Sequence, residues 1–345
     1  MRFTGRRTGV RKTNDVISEK QSRMKKLGAF GGALIAATSI MGTQANAQAL
    51  TFDADGYIRL GYNYNSDRED ETVPEFRLRV QPIATLAVTE DLSFGFGFQY
   101  QVDENYADGR IDFKNAQTNV PYVFARYEKY YAAFGNTDGA INRIPFRAGY
   151  EPGVTYPFNQ ASAVNFRYAR LSWSGEASDV LYLGYGGFRD PFRAGVSIST
   201  EDRQIAPGGF ETFDEEWSAY VSNGGDNYQL SIGYAEGRED QSLVMATAQY
   251  TLGDLSLSAL LAQDDVEDES LSGTAYGMSA RWQVSEPVRI EATYANGTAD
   301  NDTEAYGVGA SYQFENGISL RSGVFQQTNE TIDRQIADIG LIYFF

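Results

Sequence analysis

The sequence predicts an all-β protein, a 16-stranded antiparallel transmembrane β-barrel, and three observations lead to this prediction. Segments of about ten residues alternate apolar and polar side chains along most of the chain. Tight turns and longer connections alternate between these segments, as they do in bacterial outer-membrane barrels. The arginines inside the segments fall on the polar face, where a water-filled interior would accept them.

Composition excludes several classes of function. The chain has 345 residues with no Cys and no His, so it can form neither a disulfide scaffold nor a thiolate or imidazole metal site. The same absence excludes Ser/His and Cys/His nucleophilic catalysis, and we expect no enzymatic activity. The formal net charge of −17 disfavours nucleic acid as a partner, because phosphates require a basic face.

The N-terminal region has the pattern of a targeting segment. Lys25 and Lys26 precede an apolar run over residues 27–41, and small residues follow it. We interpret residues 24–49 as a signal peptide, cleaved near Ala47 or Ala49. Residues 1–23 have no apolar pattern and are interpreted as a mis-assigned upstream start, with a genuine basic extension as the alternative. Residues 1–49 hold 9 Lys or Arg and 2 Asp or Glu, so residues 50–345, the predicted barrel, carry 20 basic and 44 acidic residues, a net −24.

Strand periodicity is clearest in residues 92–102, LSFGFGFQYQV. Leu92, Phe94 and Phe96 share one face with the other apolar residues, whereas the opposite face holds only Ser, Gly and Gln. No later stretch approaches the roughly 18 consecutive apolar residues of a membrane helix. The same alternation predicts strands over residues 56–65, 75–88, 120–127, 130–136, 216–222, 227–237, 242–252, 255–264, 274–284, 288–298, 304–314, 318–328 and 335–345.

Residues 137–216 are harder to divide, and the parity of the barrel helps. An even number of strands places both termini in the periplasm, so two more strands are needed. We prefer 179–187 and 192–199, because Phe192, Ala194 and Val196 alternate with polar or small residues. Residues 165–174 paired with 179–188 are the alternative, and they give the same total of sixteen.

The two faces of the strands distinguish a membrane barrel from a soluble sheet. An arginine on the lipid face costs about 2–4 kcal/mol at mid-membrane, whereas a wet lumen accepts it. A soluble sheet with one wet face is the alternative. Seven arginines lie opposite the apolar side chains: Arg59, Arg77, Arg79, Arg193, Arg281, Arg289 and Arg321.

Aromatic residues give two further expectations. Those near strand ends are expected to form interfacial girdles: Tyr57, Tyr62, Tyr64, Tyr234, Trp282 and Tyr294. A row of aromatic side chains in the lumen would indicate a sugar channel, but the aromatic residues that alternate regularly along the strands are expected to point outwards.

Three segments carry a resemblance to a known family. Residues 123–139, VFARYEKYYAAFGNTDG, form a tight hairpin that runs into a long loop, and residues 179–185 and the closing IYFF are strand segments later in the chain. In order and composition these resemble the Gram-negative general-diffusion porins over residues 50–345. The final Phe345 resembles the aromatic signal that the outer-membrane assembly machinery reads.

The resemblance implies a trimeric, 16-stranded, water-filled channel for passive diffusion of small hydrophilic solutes. It also implies that the long third external loop, here residues 137–178, folds into the lumen and forms a constriction between loop acids and wall arginines. The candidate acids are Asp138 and Glu151, with Glu176 and Asp179 less favoured. The candidate arginines of the wall and loop are Arg59, Arg77, Arg79, Arg126, Arg143 and Arg147, and each could instead be a solvated charge.

Partners and ligands follow from the same resemblance and from the loop charges. We expect outer-membrane lipid, lipopolysaccharide and a homotrimer packed through strands one to five, where Ala125, Ala132 and Ala133 would allow close approach. Acidic runs such as 264–269 could bind divalent cations that bridge to lipopolysaccharide, or could simply be solvated. No other cofactor is expected. The net charge predicts a modest cation preference. A substrate-specific channel and a loop-mediated adhesin or receptor barrel are the alternative functions.

Overall fold

The computed structural model describes residues 49–103, 117–118, 121–164, 179–187, 190–206, 209–237, 241–266, 271–297 and 303–345. The predicted signal peptide, the segment before it, and residues 165–178 of the long loop lie outside the described residues, as do parts of the acidic runs. In the part of the chain that is described, no helix is long and apolar enough to cross a membrane.

Sixteen antiparallel strands form one closed sheet in the described residues, which confirms the predicted fold class. Two of them, β3 and β4, are interrupted. The strands are β1 Leu50–Asn65, β2 Thr72–Ala87, β3 Leu92–Gly97 with Tyr100–Asp103, β4 Gln117–Thr118 with Tyr122–Tyr127, β5 Tyr130–Gly135, β6 Asp179–Tyr185, β7 Phe192–Ala206, β8 Gly209–Gly224, β9 Tyr228–Glu236, β10 Ser242–Leu252, β11 Leu255–Asp265, β12 Gly273–Gln283, β13 Val288–Gly297, β14 Glu304–Gln313, β15 Ile318–Thr328 and β16 Asp333–Phe344.

The sheet closes between its first and last strands. Tyr57 of β1 lies opposite Arg79 of β2 on one side and Phe344 of β16 on the other. Closure satisfies the strand edges that a membrane could not hydrate. Sixteen strands are enough to leave an aqueous channel rather than an interior filled by wall side chains.

Prolines explain both interruptions. Phe98 lies where β3 would pair with Pro82 of β2, and proline has no N–H for the ladder; only the bond from the Phe98 N–H to the Pro82 carbonyl, at 3.4 Å, remains. Pro121 immediately precedes the second part of β4, which begins at Tyr122, whereas residue 120, the predicted start of this strand, lies outside the described residues.

Residues 137–216 contain the preferred pair of strands, here β6 and β7. β6 pairs with β5 and with β7, so the alternative that used residues 165–174 is wrong. β7 and β8 are longer than predicted because their backbone ladder continues through Ala206 and Gly209 beyond the neighbouring strands. β1 is also longer than predicted, since residues 50–55 pair with β2.

The two faces of the barrel have the predicted chemistry. Large apolar side chains such as Val308, Leu261 and Ile339 are exposed on the outside, whereas the seven arginines named above point inward. Two predictions are wrong. Tyr57 faces inward, beneath the guanidinium of Arg79, and is not a girdle residue. Ala133 is also inward and buried, because it lies directly opposite the inward Phe124.

Candidate functional site

Residues 137–164 leave β5 and begin with a 3-10 helix, Ala140–Arg143, held against two neighbouring strands. The backbone N–H of Ala140 donates to Ser197 Oγ of β7 at 2.8 Å, and that of Ile141 donates to Ser218 Oγ of β8 at 3.0 Å. The two serine hydroxyls are 2.9 Å apart. These bonds satisfy N–H groups at a helix start that lacks a side-chain cap of its own.

An apolar cluster on the inward face fixes the same part of the segment. Ile141 and Ile144 pack in one buried cluster with Leu243, Met245 and Leu260, which point inward from β10 and β11. Exposure of these inward apolar side chains to water would be unfavourable, so their burial under Ile141 and Ile144 stabilises the contact between the segment and the wall.

The middle of the segment follows the wall across β10 and β12. Thr247 Oγ1 donates to the carbonyl of Pro145 at 2.6 Å, and the Tyr150 N–H donates to Ser279 Oγ at 2.8 Å. Gly277 allows this approach, since a Cβ at that position would lie 1.9 Å from the carbonyl oxygen of Gln160.

Residues 154 and 155 reach β16 and β1, across the barrel from where the segment begins, and Gln160 lies back against Ser279 of β12. The Asp338 carboxylate accepts hydrogen bonds from the N–H groups of Val154 at 3.1 Å and Thr155 at 2.8 Å. Arg59 Nη1 donates to the Val154 carbonyl at 3.3 Å. Arg59 is only 2% exposed and is neutralised by Glu75, with which it forms an ion pair.

Wall arginines have partners on the wall itself. Arg77 forms an ion pair with Asp103 across β2 and β3, and Arg79 Nε donates to Gln101 Oε1 at 2.8 Å. Asp103 thus lies beside two arginines that share one inward face two residues apart, where like charges would otherwise repel. The sequence pattern predicts Asp138 and Glu151 as the acids opposite the wall arginines, but it does not predict Glu75 and Asp103, which pair with Arg59 and Arg77.

The predicted loop charges form a separate group within residues 137–164. Arg143 donates to the Asp138 carbonyl at 3.1 Å and to Thr137 Oγ1 at 2.6 Å. Glu151 accepts a hydrogen bond from Asn159 Nδ2 at 3.2 Å, and burial raises the pKa of its carboxyl. Burial also lowers the pKa of Arg147, although Asp138 and then Glu151 act electrostatically in the opposite direction.

On β13, Glu291 neutralises two further inward arginines. Arg281 Nε lies 2.6 Å and Arg289 Nε 3.6 Å from its Oε1. The Arg281 guanidinium also stacks over Tyr150, 4.3 Å from the ring centre, so this pair contacts residues 137–164 as well.

A layer of inward aromatic rings covers β4, β5 and β6, so the expectation that aromatics point outward is wrong for these strands. The rings of Tyr122 and Phe124 are 6.1 Å apart, those of Phe124 and Tyr131 5.9 Å, and those of Tyr131 and Tyr182 6.0 Å. Phe124 lies flat on Gly95, where an added Cβ would be 2.0 Å from the ring. The inward face of β3 that carries only small or polar residues was the signal that something else covers it.

Arg126 lies on this aromatic layer. Its guanidinium carbon is 5.1 Å from the centre of the Phe124 ring and 5.4 Å from that of Tyr131. Arg143, from the 3-10 helix, lies 5.8 Å from the same Tyr131 ring and 4.5 Å from that of Tyr182.

Comparison with known proteins decides the family. A family model described as Gram-negative porin matches residues 32–331, most of the chain. The chain belongs to the Gram-negative porin family. As a porin of this fold it is an outer-membrane protein that forms a diffusion channel.

Individual relatives agree with this assignment. The porin of Fuscovulum blasticum is 26% identical to this porin over 289 residues, which cover 74% of this chain and 97% of the relative. Two solved structures of Rh. blastica porin variants, one with five substitutions and one with three, have a TM-score of 0.70, at 18% and 20% identity. Each covers 86% of this porin and 100% of its own chain, and at that identity the likeness concerns the fold.

The described residues of this porin contain no group of three or more acids placed to hold a metal ion. Bound divalent cations at the acidic loops stay a prediction, since much of those loops lies outside the described residues.

Proposed function

We propose that this porin conducts small hydrophilic solutes passively through a channel that residues 137–164 narrow, with no catalytic step. One observation carries the proposal. The segment begins on β7 and β8, where Ser197 and Ser218 accept its N–H bonds, and it reaches Asp338 on β16, all on the inward face. A segment attached at both sides of a barrel must leave the remaining passage beside β2 to β6.

The charges along that passage support a polar filter. Arg77, Arg79 and Arg126 belong to the wall, whereas Asp138 and Glu151 belong to residues 137–164. Opposite charges on two sides of a narrow, weakly screened space favour dipolar solutes and exclude apolar ones. Arg143 and Arg147 lie on the acidic side and reduce this asymmetry.

Cysteine modification tests the narrowing, because the native chain has no cysteine. A Glu151→Cys variant in a planar bilayer should lose conductance when a bulky charged thiol reagent is added. The matched control is Glu330→Cys in the connection between β15 and β16, which should conduct as before after modification. Equal conductance of modified and unmodified Glu151→Cys would contradict the narrowing, and absence of any channel in the unmodified protein would contradict the transport function itself.

We further propose a homotrimer in the outer membrane that packs through the outer faces of β1 to β5. Ala125 and Ala132 lie directly opposite one another on adjacent strands and leave a shallow surface there. An Ala132→Trp variant should shift the cross-linked species from trimer towards monomer, whereas Ala246→Trp, on the distant β10, should leave the trimer intact. Trimers that persist in Ala132→Trp would place the contact elsewhere.

The C-terminal residue is proposed as the assembly signal. The Phe345 ring packs on Gly56, where an added Cβ would lie 2.8 Å from it, and the two backbones exchange hydrogen bonds of 3.0 and 3.1 Å. Phe345→Ala should reduce the amount of assembled barrel in the outer membrane, as measured by heat-modifiable mobility on gels. Wild-type amounts would contradict the signal.

Contact with lipopolysaccharide through cations at the acidic loops is proposed on charge alone, and a shift in thermal stability with lipopolysaccharide and Mg²⁺ would test it.

A further inference from the structure

We propose that Arg126, Tyr131 and Arg143 form a subsite for small organic polycarboxylates inside the channel. The inference rests on the proposed function, because it requires the passage beside β4 and β5 to be open to solutes. It goes beyond a general polar filter in naming one place and one class of ligand.

Two cations converge on one ring at this place. The guanidinium carbons of Arg126 and Arg143 lie 5.4 and 5.8 Å from the centre of the Tyr131 ring. Like charges repel, so bringing two guanidinium groups to one side chain is unfavourable unless an anion compensates them. Asp138 also acts electrostatically on Tyr131, with the opposite sign to the two arginines.

Arg126 differs from the other wall arginines in how it is held. Arg59, Arg77 and Arg281 each form an ion pair with a carboxylate. Arg126 is exposed, and within the described residues it forms neither an ion pair nor a hydrogen bond, only the two stacking contacts. Its N–H donors are therefore open to a solute.

The aromatic layer orients this guanidinium for binding. Phe124 is 3% exposed and lies against the backbone at Gly95, so its ring is a rigid support. A guanidinium stacked on a ring keeps its planar N–H edge free, and that edge matches a carboxylate with two parallel hydrogen bonds.

Arg143 supplies the second cation from the 3-10 helix at the start of residues 137–164. Two of its donors are used, by the Asp138 carbonyl and by Thr137 Oγ1, which fixes its position relative to the ring. A ligand with one carboxylate would use Arg126 alone, whereas a ligand with two or more would also be attracted by Arg143. This arrangement favours polycarboxylates over chloride.

Conductance block by citrate tests the subsite. Purified protein in a planar bilayer is bathed in KCl, and citrate is added until the single-channel current falls by half. We expect citrate to block the wild-type channel and Arg126→Gln to need about tenfold more citrate, as for loss of a charge-assisted hydrogen-bond donor. Tyr131→Leu should weaken the block as well, because the stacking support is lost.

Arg289→Gln is the matched control, since it removes the same charge from an inward arginine that lies beside Glu291. It should keep wild-type sensitivity to citrate. Equal loss of block in Arg289→Gln and Arg126→Gln would overturn the subsite in favour of a general positive field. A wild-type channel that conducts KCl but is insensitive to citrate would overturn the subsite and leave the proposed function standing, whereas absence of conductance would overturn both.

Discussion

The carboxylate of Asp338 on β16 accepts a hydrogen bond of 2.8 Å from the backbone N–H of Thr155. The Thr155 hydroxyl donates to the same oxygen at 2.6 Å, and the Val154 N–H donates at 3.1 Å. One buried carboxylate thus satisfies three donors where residues 154 and 155 contact β16. Arg59 of β1 also holds this part of the segment through its bond to the Val154 carbonyl, whereas the anchors nearer the start of the segment lie on β7 to β12.

Replacement of Asp338 by Ala should release the part of the segment around residues 154 and 155. Three donors would lose their acceptor at a buried site, at a cost of about 1–3 kcal/mol for each donor left unsatisfied, less what water recovers. We expect rapid current fluctuations in single-channel recordings and new protease cleavage between residues 150 and 156. Asp333→Ala, exposed on the same strand, is the control; a quiet, protease-resistant Asp338→Ala channel would contradict the anchoring role.

Removal of Glu75 should strongly destabilise the barrel. Arg59 would remain buried without its carboxylate, and breaking a buried pair from one side costs about 3–5 kcal/mol. Denaturant unfolding of Glu75→Leu in micelles should show this loss, and the double variant Arg59→Met with Glu75→Leu should recover most of it. Lys129→Ala, which breaks the exposed pair with Asp190, is the control and should unfold like the wild type. A Glu75→Leu variant with the denaturation midpoint of the wild type would refute the prediction.

Acidification should make the channel more anion-selective in a range where ordinary carboxylates are still charged. Burial raises the pKa of Glu151 in the folded chain, while the bond from Asn159 opposes this. The carboxylate is therefore neutralised as the pH falls through a value above its ordinary pKa, and the passage loses one negative charge.

Protonation of Glu151 should also stabilise the folded chain. Since the folded pKa is the higher one, the folded chain binds more protons in this window and gains stability as the pH falls through it. On acidification, the reversal potential of the wild type in a KCl gradient should shift towards that of an anion-selective channel. The Glu151→Gln channel should have this shifted reversal potential before acidification. A pH-dependent shift that survives in Glu151→Gln would assign the titration to another group.

An arginine on the outer face should be far more costly than one on the inner face. Ile232 points outward from β9 and is 52% exposed, so Ile232→Arg should cost about 2–4 kcal/mol in lipid near mid-membrane. Gln249 points inward from the neighbouring β10, and Gln249→Arg should be tolerated. Unfolding free energies measured in lipid vesicles compare the two, and a similar cost for both would reverse the assignment of the faces.

Charges inside the barrel should affect ion selectivity more than the net charge of the chain does. The cation preference predicted from a net −24 rests largely on external loops, whereas the proposed passage beside β2 to β6 would contain Arg77, Arg79 and Arg126. Loop charges more than a Debye length of about 8 Å from the passage are screened at physiological salt, so we expect the inward arginines to have the greater effect on permeating ions.

Strand number, strand faces and family could be predicted from the amino-acid pattern because lipid and water select side chains residue by residue. A strand between lipid and a wet lumen must alternate, and Val308 beside Gly309 shows that alternation without any knowledge of neighbours. Local breaks such as the one at Phe98 were not predicted, since they depend on Pro82 lying opposite.

Contacts between distant parts of the chain required the folded barrel. Strand register and the path of residues 137–164 determine that Glu75 pairs with Arg59, that Asp338 accepts from Val154, and that Tyr131 lies near two guanidinium groups. Periodicity assigns each side chain to a face but carries no distance between strands far apart in sequence. Ion pairing and hydrogen bonding fall off within a few ångströms, so only the closed sheet determines which inward groups meet.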